Sequence, residues 1–95
     1  MIYEWDAEKA AANLRKHGVS FLDAATVFLN PLAMTYEDPD HSADEQREVT
    51  IGHTIRQRLV FVSHCERGDQ IRIISARLVT RPERKQYEKA IGKHN

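Results

Sequence analysis

A single cysteine, Cys65, is all the thiol chemistry the chain has, so no internal disulfide can staple it, which suits a reducing compartment. No apolar run approaches the roughly 20 residues that span a bilayer. The opening MIYEWDAEK lacks the basic and apolar stretches of a secretory signal, and a cytoplasmic protein that avoids membranes is the expectation. Missing too are the P-loop and G-x-G-x-x-G phosphate cradles, any low-complexity tract and any repeat of about 20–50 residues. Asp38, Asp40, His41 and Asp44 gather metal-type donors, yet their spacing fits neither an EF-hand nor a zinc site. They read as a solvated acidic loop. No metal and no cofactor are expected.

What is present begins with charge. The 95 residues carry a net charge of zero, but residues 1–45 hold three Lys/Arg against nine Asp/Glu, and residues 46–95 hold eleven against five. Eight of those eleven are arginine, the side chain best suited to bidentate phosphate contact. The two halves either neutralise one another across the fold or leave a basic surface for an anionic polymer. The length predicts one domain, 1–95, with a modest core.

In chain order, Ile2 to Trp5 reads as a short strand. Asp6 caps a helix with Ala7, Ala10, Ala11 and Leu14 at helical spacing, and His17-Gly18 closes it. Ser20, with Asp23 as a capping-box partner, starts a second helix whose apolar face is Phe21, Ala24, Ala25 and Phe28; Asn30-Pro31 stops it. The period then changes to two. Leu32, Met34 and Tyr36 line one strand, and residues 37–45 form a long polar loop. Arg47, Val49, Ile51 and His53 alternate along the next strand. Leu59-Val60-Phe61-Val62 is apolar on both faces, as a central strand is. Glu66-Arg67-Gly68-Asp69 turns into a last strand, Ile71 to Ala76, followed by a helix. The order is β-α-α-β-β-β-β-α: an α+β domain with a meandering antiparallel sheet packed by helices.

The last strand and helix concentrate the unusual residues. Thr80 and Glu83 form a T-x-x-E capping box with Pro82 in the first turn. Arg72, Arg77, Arg81, Arg84 and Lys85 fall in the strand, the turn or the first helical turns, beside a helix N-terminus whose free N–H groups favour anions. The helical period places Glu83, Arg84, Tyr87 and Ile91 on one side and Arg81, Lys85, Glu88 and Lys89 on the other. Tyr87 and Ile91 would face the sheet, and Arg84 can pair with Glu88.

Cleavage within RNA needs a base for the 2′-hydroxyl, cations for the phosphorane and an acid for the leaving oxygen. His64 and Glu66, two residues apart on a strand, share a face and offer an imidazole and a carboxylate. Arg77, Arg84 and Arg72 are the phosphate candidates, and Glu83 or Tyr87 can assist. Each has a plainer use: His64 as a hydrogen-bonded structural residue, Glu83 as a cap, Tyr87 as packing. Cys65 is no nucleophile partner of His64, because adjacent strand residues point to opposite faces.

The stretches EWDAEKAAANLRKHGVSF, NPLAMTYEDPDH and HCERGDQIRIISARLVTRPERKQYE together resemble BrnT-type toxins of bacterial type II toxin–antitoxin systems, in the RelE-like superfamily. The likeness covers nearly the whole chain. It implies a RelE-like α+β fold and a ribonuclease that arrests growth. It also implies neutralisation by a DNA-binding BrnA-type antitoxin whose complex represses its own operon, with scope for higher-order assembly. The residues on the shared motif are His64, Glu66, Arg67, Arg77, Glu83, Arg84 and Tyr87. On this reading Arg77 and Arg84 stabilise the phosphate, His64 or Glu66 moves the proton, and Glu83 and Tyr87 position or assist. Arg67, Arg72, Arg81 and Lys85 bind RNA. The rival is a non-catalytic basic module that binds RNA or the antitoxin.

Overall fold

The computed structural model describes residues 2–38 and 46–92; the acidic loop around Asp40, His41 and Asp44 lies outside them. The elements are β1 (Ile2–Glu4), α1 (Ala7–His17), α2 (Phe21–Ala25) continued by a 3₁₀ turn (Thr26–Leu29), β2 (Met34–Glu37), β3 (Arg47–His53), β4 (Leu59–Arg67), β5 (Gln70–Leu78) and α3 (Arg81–Ala90). This is the α+β order that the periodicity predicts. β2 to β5 form the expected antiparallel meander, and β1 joins the outer edge of β5 in parallel, giving the order β1-β5-β4-β3-β2. The sheet is therefore mixed. A three-residue strand carries no signal of its partner, and parallel neighbours need a crossover that runs here through most of the chain. Among the described residues no helix is long and apolar enough to cross a membrane.

Caps set the helices. The Asp6 carboxylate accepts the N–H groups of Lys9 and Glu8, bonds that hold its pKa below the ordinary aspartate value, the one from Lys9 most. Gly18, at φ 70°, closes α1 with its N–H on the Leu14 carbonyl. The buried side of α1 differs from the alanine stripe its spacing predicts. Ala7 and Ala11 are exposed and Leu14 is 50% exposed, whereas Asn13 is buried. The reason is polar. Ala76 lies past the end of β1 on the outer edge of β5, and the Asn13 amide takes the place of a strand there. Its Nδ2 donates to Ala76 O (2.8 Å) and Val19 O (3.0 Å), and its Oδ1 accepts from Ala76 N–H (3.1 Å).

Ser20 caps α2 by accepting the Asp23 N–H, but the return bond expected of Asp23 is absent, and its buried carboxylate meets no donor among the described residues. Phe21, Ala24, Val27, Val60, Val62 and Ile73 pack the core between α1, α2 and the sheet. Gly52 lets the 3₁₀ segment approach β3, since a Cβ there would sit 2.8 Å from Ala33 Cβ and 3.0 Å from Val27 Cγ2. A smaller cluster, Val49, Ile51, Leu59 and Tyr87, lies under α3 on the opposite face.

Candidate active site

β4 and β5 are longer than their apolar cores suggest. β4 runs on to Arg67 and β5 to Leu78, so the expected four-residue turn tightens to Gly68-Asp69 and Arg77 lies within the strand. The pairing shifts between Ser63 and His64: Ser63 faces Ser75 and His64 faces Ile73, leaving Ile74 as a bulge residue in β5. Arg72 and Arg77 are five apart and on a regular strand would point to opposite faces. The bulge resets the alternation, so Arg72 (beside Cys65) and Arg77 (beside Phe61) share the α3 face. Arg67, two residues along β4 from Cys65, joins them, as does Arg47, which faces Cys65 from β3. Arg47 escaped the sequence reading because its use depends on cross-strand register.

Arg77 is the most constrained of these cations. Its Nη1 and Nη2 donate to the two Glu83 carboxylate oxygens at 2.8 and 2.9 Å, and Nη1 also donates to Leu78 O at 3.2 Å. The guanidinium lies 4.1 Å from the centroid of the Phe61 ring. The Glu83 bond raises the arginine's affinity for its proton, and the Arg77 bond pulls the Glu83 carboxyl down to about 2. Those contacts use the end-on fork of the guanidinium. The side-on fork, Nε–H with the second Nη2–H, remains aimed away from Glu83 and matches two oxygens of a phosphate.

The helix start is not the open anion cradle that its sequence suggests. Glu83 Oε1 accepts the Thr80 N–H, Thr80 Oγ1 accepts the Glu83 N–H, and Pro82 has none, so of the donors an anion would use at Thr80 to Glu83 only the Arg81 N–H is left. The positive charge there belongs to side chains. Arg81 and Lys85 are exposed. Arg84 is half exposed, and its side chain makes a loose i,i+4 contact with Glu88 at 3.9 Å. Arg72 pairs with Glu4 at 3.5 Å, tying β5 to β1. Tyr87 is buried, its hydroxyl donating to Leu32 O at 2.9 Å, and burial raises its pKa above the ordinary tyrosine value, with help from nearby Tyr36.

His64 lies on the other face. It is 2% exposed, its Nε2 is 2.7 Å from Thr50 Oγ1, and its ring meets Phe28 edge-on at 4.9 Å between centroids. Thr50 in turn bonds the exposed Thr35, so a polar chain runs from the buried imidazole across β4, β3 and β2. Burial pushes the imidazole down to about 4. Glu66 shares the His64 face by alternation, is exposed at the hairpin tip, and sits five residues along β4 from the residue paired with Arg77, roughly 17 Å away. The structure thus gathers Arg77, Glu83 and Tyr87 at one place with Arg84 on the same helix, and separates His64 and Glu66 from them. His53, whose ring lies 6.1 Å from that of Tyr87, is the histidine that the α3 face does carry. Among the described residues no group of three or more His, Cys, Asp or Glu is arranged to hold a metal ion.

No curated protein matches the chain. Among solved structures, the ribonuclease toxin BrnT of Brucella abortus superposes with a TM-score of 0.67 at 24% identity, covering 85% of this chain and all of that one; it shares the fold. A family model described as the ribonuclease toxin, BrnT, of type II toxin–antitoxin systems matches residues 5–83, most of the chain. The chain therefore belongs to the BrnT family of ribonuclease toxins from type II toxin–antitoxin systems.

Proposed function

We propose that the chain is an endoribonuclease that cleaves RNA by attack of a ribose 2′-hydroxyl on the neighbouring phosphodiester, without a metal ion. The P–O5′ bond breaks as the O2′–P bond forms, leaving a 2′,3′-cyclic phosphate and a 5′-hydroxyl. The observation that carries this reading is the Arg77–Glu83 pair: a guanidinium fixed on one side by a carboxylate and an aromatic ring, with a second fork that meets no acceptor among the described residues. An arginine immobilised before substrate arrives stabilises the phosphorane without reorganising. Arg84 is the second cation, and Arg67, Arg72, Arg81 and Lys85 hold flanking phosphates. Glu83 is a positioning residue: ionised at neutral pH and paired, it is a poor base. Tyr87 holds α3 on the sheet.

His64 and Glu66 stand apart from this cation, so proton transfer falls to water, and charge stabilisation supplies most of the rate. A BrnA-type antitoxin that binds DNA and represses its own operon would neutralise the toxin by covering the arginines. The non-catalytic reading keeps one observation on its side, namely that Glu83 already offsets the Arg77 charge. One experiment separates the two. Purified protein is incubated with RNA in EDTA, and the new ends are mapped for cyclic phosphate. Cleavage that persists, and is lost in folded R77A, supports the nuclease. RNA bound but uncut supports the module, and cleavage abolished by EDTA overturns metal independence.

A further inference from the structure

A cleft of about 370 Å³ opens beside the Arg77–Glu83 pair, lined by Tyr36, Ile51, Phe61, Glu83, Gln86 and Tyr87. None of the phosphate contacts assigned above uses its interior. Its volume falls at the small end of the range for small-ligand sites, about 300–1,000 Å³. Ile51 pairs with Phe61 on β4, and Tyr36, which pairs with Val49, is its diagonal neighbour on β2, so Ile51 forms the floor with Tyr36 on one side and Phe61 on the other. Two inter-strand spacings put those flanking strands roughly 10 Å apart, room for a flat ring between two side chains. Tyr36 is 45% exposed, on the edge strand, and among the described residues its hydroxyl makes only a long contact to Met34 Sδ at 3.5 Å. One face of Phe61 is covered by the Arg77 guanidinium. Gln86 is an exposed amide on α3, presenting a donor and an acceptor side by side.

We propose that this cleft is a nucleobase subsite. It takes one unstacked base of single-stranded RNA between Tyr36 and Phe61, with the Gln86 amide reading the hydrogen-bonding edge of the base. The inference rests on the reading that the chain acts on RNA. Three observations select a base over another apolar ligand. The walls are aromatic, and flat π-faces are what unstacked bases pack on. The lip carries Arg77, so a nucleotide with its base inside places a phosphate at the guanidinium. Arg84 and Lys85 on the same helix complement the strand that enters and leaves. The arrangement makes Tyr36 and Gln86 determinants of which nucleotide is cut.

The test is the base distribution at cut sites in a randomised RNA, read by sequencing the new ends for the wild type, Q86A and Y36L. Both substitutions are on exposed positions, and a thermal melt verifies folding. The wild type is expected to show a base bias at one position beside the cut, which Q86A flattens by threefold or more, while Y36L raises KM about tenfold. An unbiased wild type, or a bias unchanged in both folded variants, overturns the subsite and leaves the nuclease reading intact. If the wild type cuts no RNA, that reading fails by itself. The subsite is then judged by titrating AMP, CMP, GMP, UMP and ribose 5-phosphate while following amide NMR shifts at Tyr36 and Gln86. Base-dependent shifts there support it; shifts equal to those from ribose 5-phosphate, or none, overturn it.

Discussion

Arg77 meets its partners long before any substrate arrives. Glu83 grips it end-on and Phe61 backs it, so its remaining N–H fork has a fixed direction. Replacing Glu83 with Gln retains a hydrogen-bonding side chain near Thr80 but removes the charge that holds the guanidinium. E83Q is expected to lower kcat for RNA cleavage with little change in KM, and to cost about 1 kcal/mol of stability through the weakened cap. A rate equal to wild type in that variant would reduce Glu83 to a helix cap. His64 makes a different prediction. Burial holds its imidazole at about 4 against an ordinary 6.5. The unfolded chain therefore binds more protons between those values, so stability falls as pH drops from 6.5 towards 4, by an amount of order 3 kcal/mol. Glu83, held at about 2 from an ordinary 4.5, loses its contribution only below pH 4.5. Urea midpoints across pH 4 to 7.5 should fall steeply for the wild type and more gently for H64Q; parallel curves would show that His64 is not held neutral.

At the scale of elements, what could be read in advance was what local chemistry writes. Thr80, Pro82 and Glu83 announce α3, and Asp6 and Gly18 bracket α1, because caps act over three or four residues. What depends on distant partners was hidden. Asn13 looks like a solvated helix residue, yet it closes the edge of β5 63 positions away. N13A is expected to destabilise the fold by roughly 3 kcal/mol, because the Ala76 and Val19 backbone groups are left buried without partners; a loss under about 0.5 kcal/mol would mean water replaces the amide. Gly52 reads as a weak strand residue and is in fact a contact point with Ala33 and Val27. G52V should unfold the chain at growth temperature or lower its melting temperature sharply, and an unchanged melt would show that the 3₁₀ segment yields. The Ile74 bulge had no signature either, and it decides that Arg72 and Arg77 share a face.

Across the whole molecule, the sheet sorts the candidate residues into two populations. The face under α1 and α2 is a packed core, with a Thr35–Thr50–His64 chain that leads from the exposed edge strand to a buried imidazole. The other face is only partly covered, because α3 spans ten residues beside nine-residue strands, and the arginines gather there. Net charge concealed this, since the acidic half balances the basic half in sum but not in place. Of the expected site, the arginine-bearing strand and helix were legible from composition and capping. The place of the histidine was not legible, because period alone shows that His64 and Glu66 share a face, not which face of the sheet that is.

The most direct measurement compares single-turnover RNA cleavage in EDTA at pH 7.5 by the wild type, R77A and H64Q, each verified as folded. If the α3 face holds the reacting phosphate, R77A loses about 100-fold or more, while H64Q cleaves at close to the wild-type rate. R77A cleaving normally while H64Q is inactive would place the chemistry on the opposite face and contradict the account.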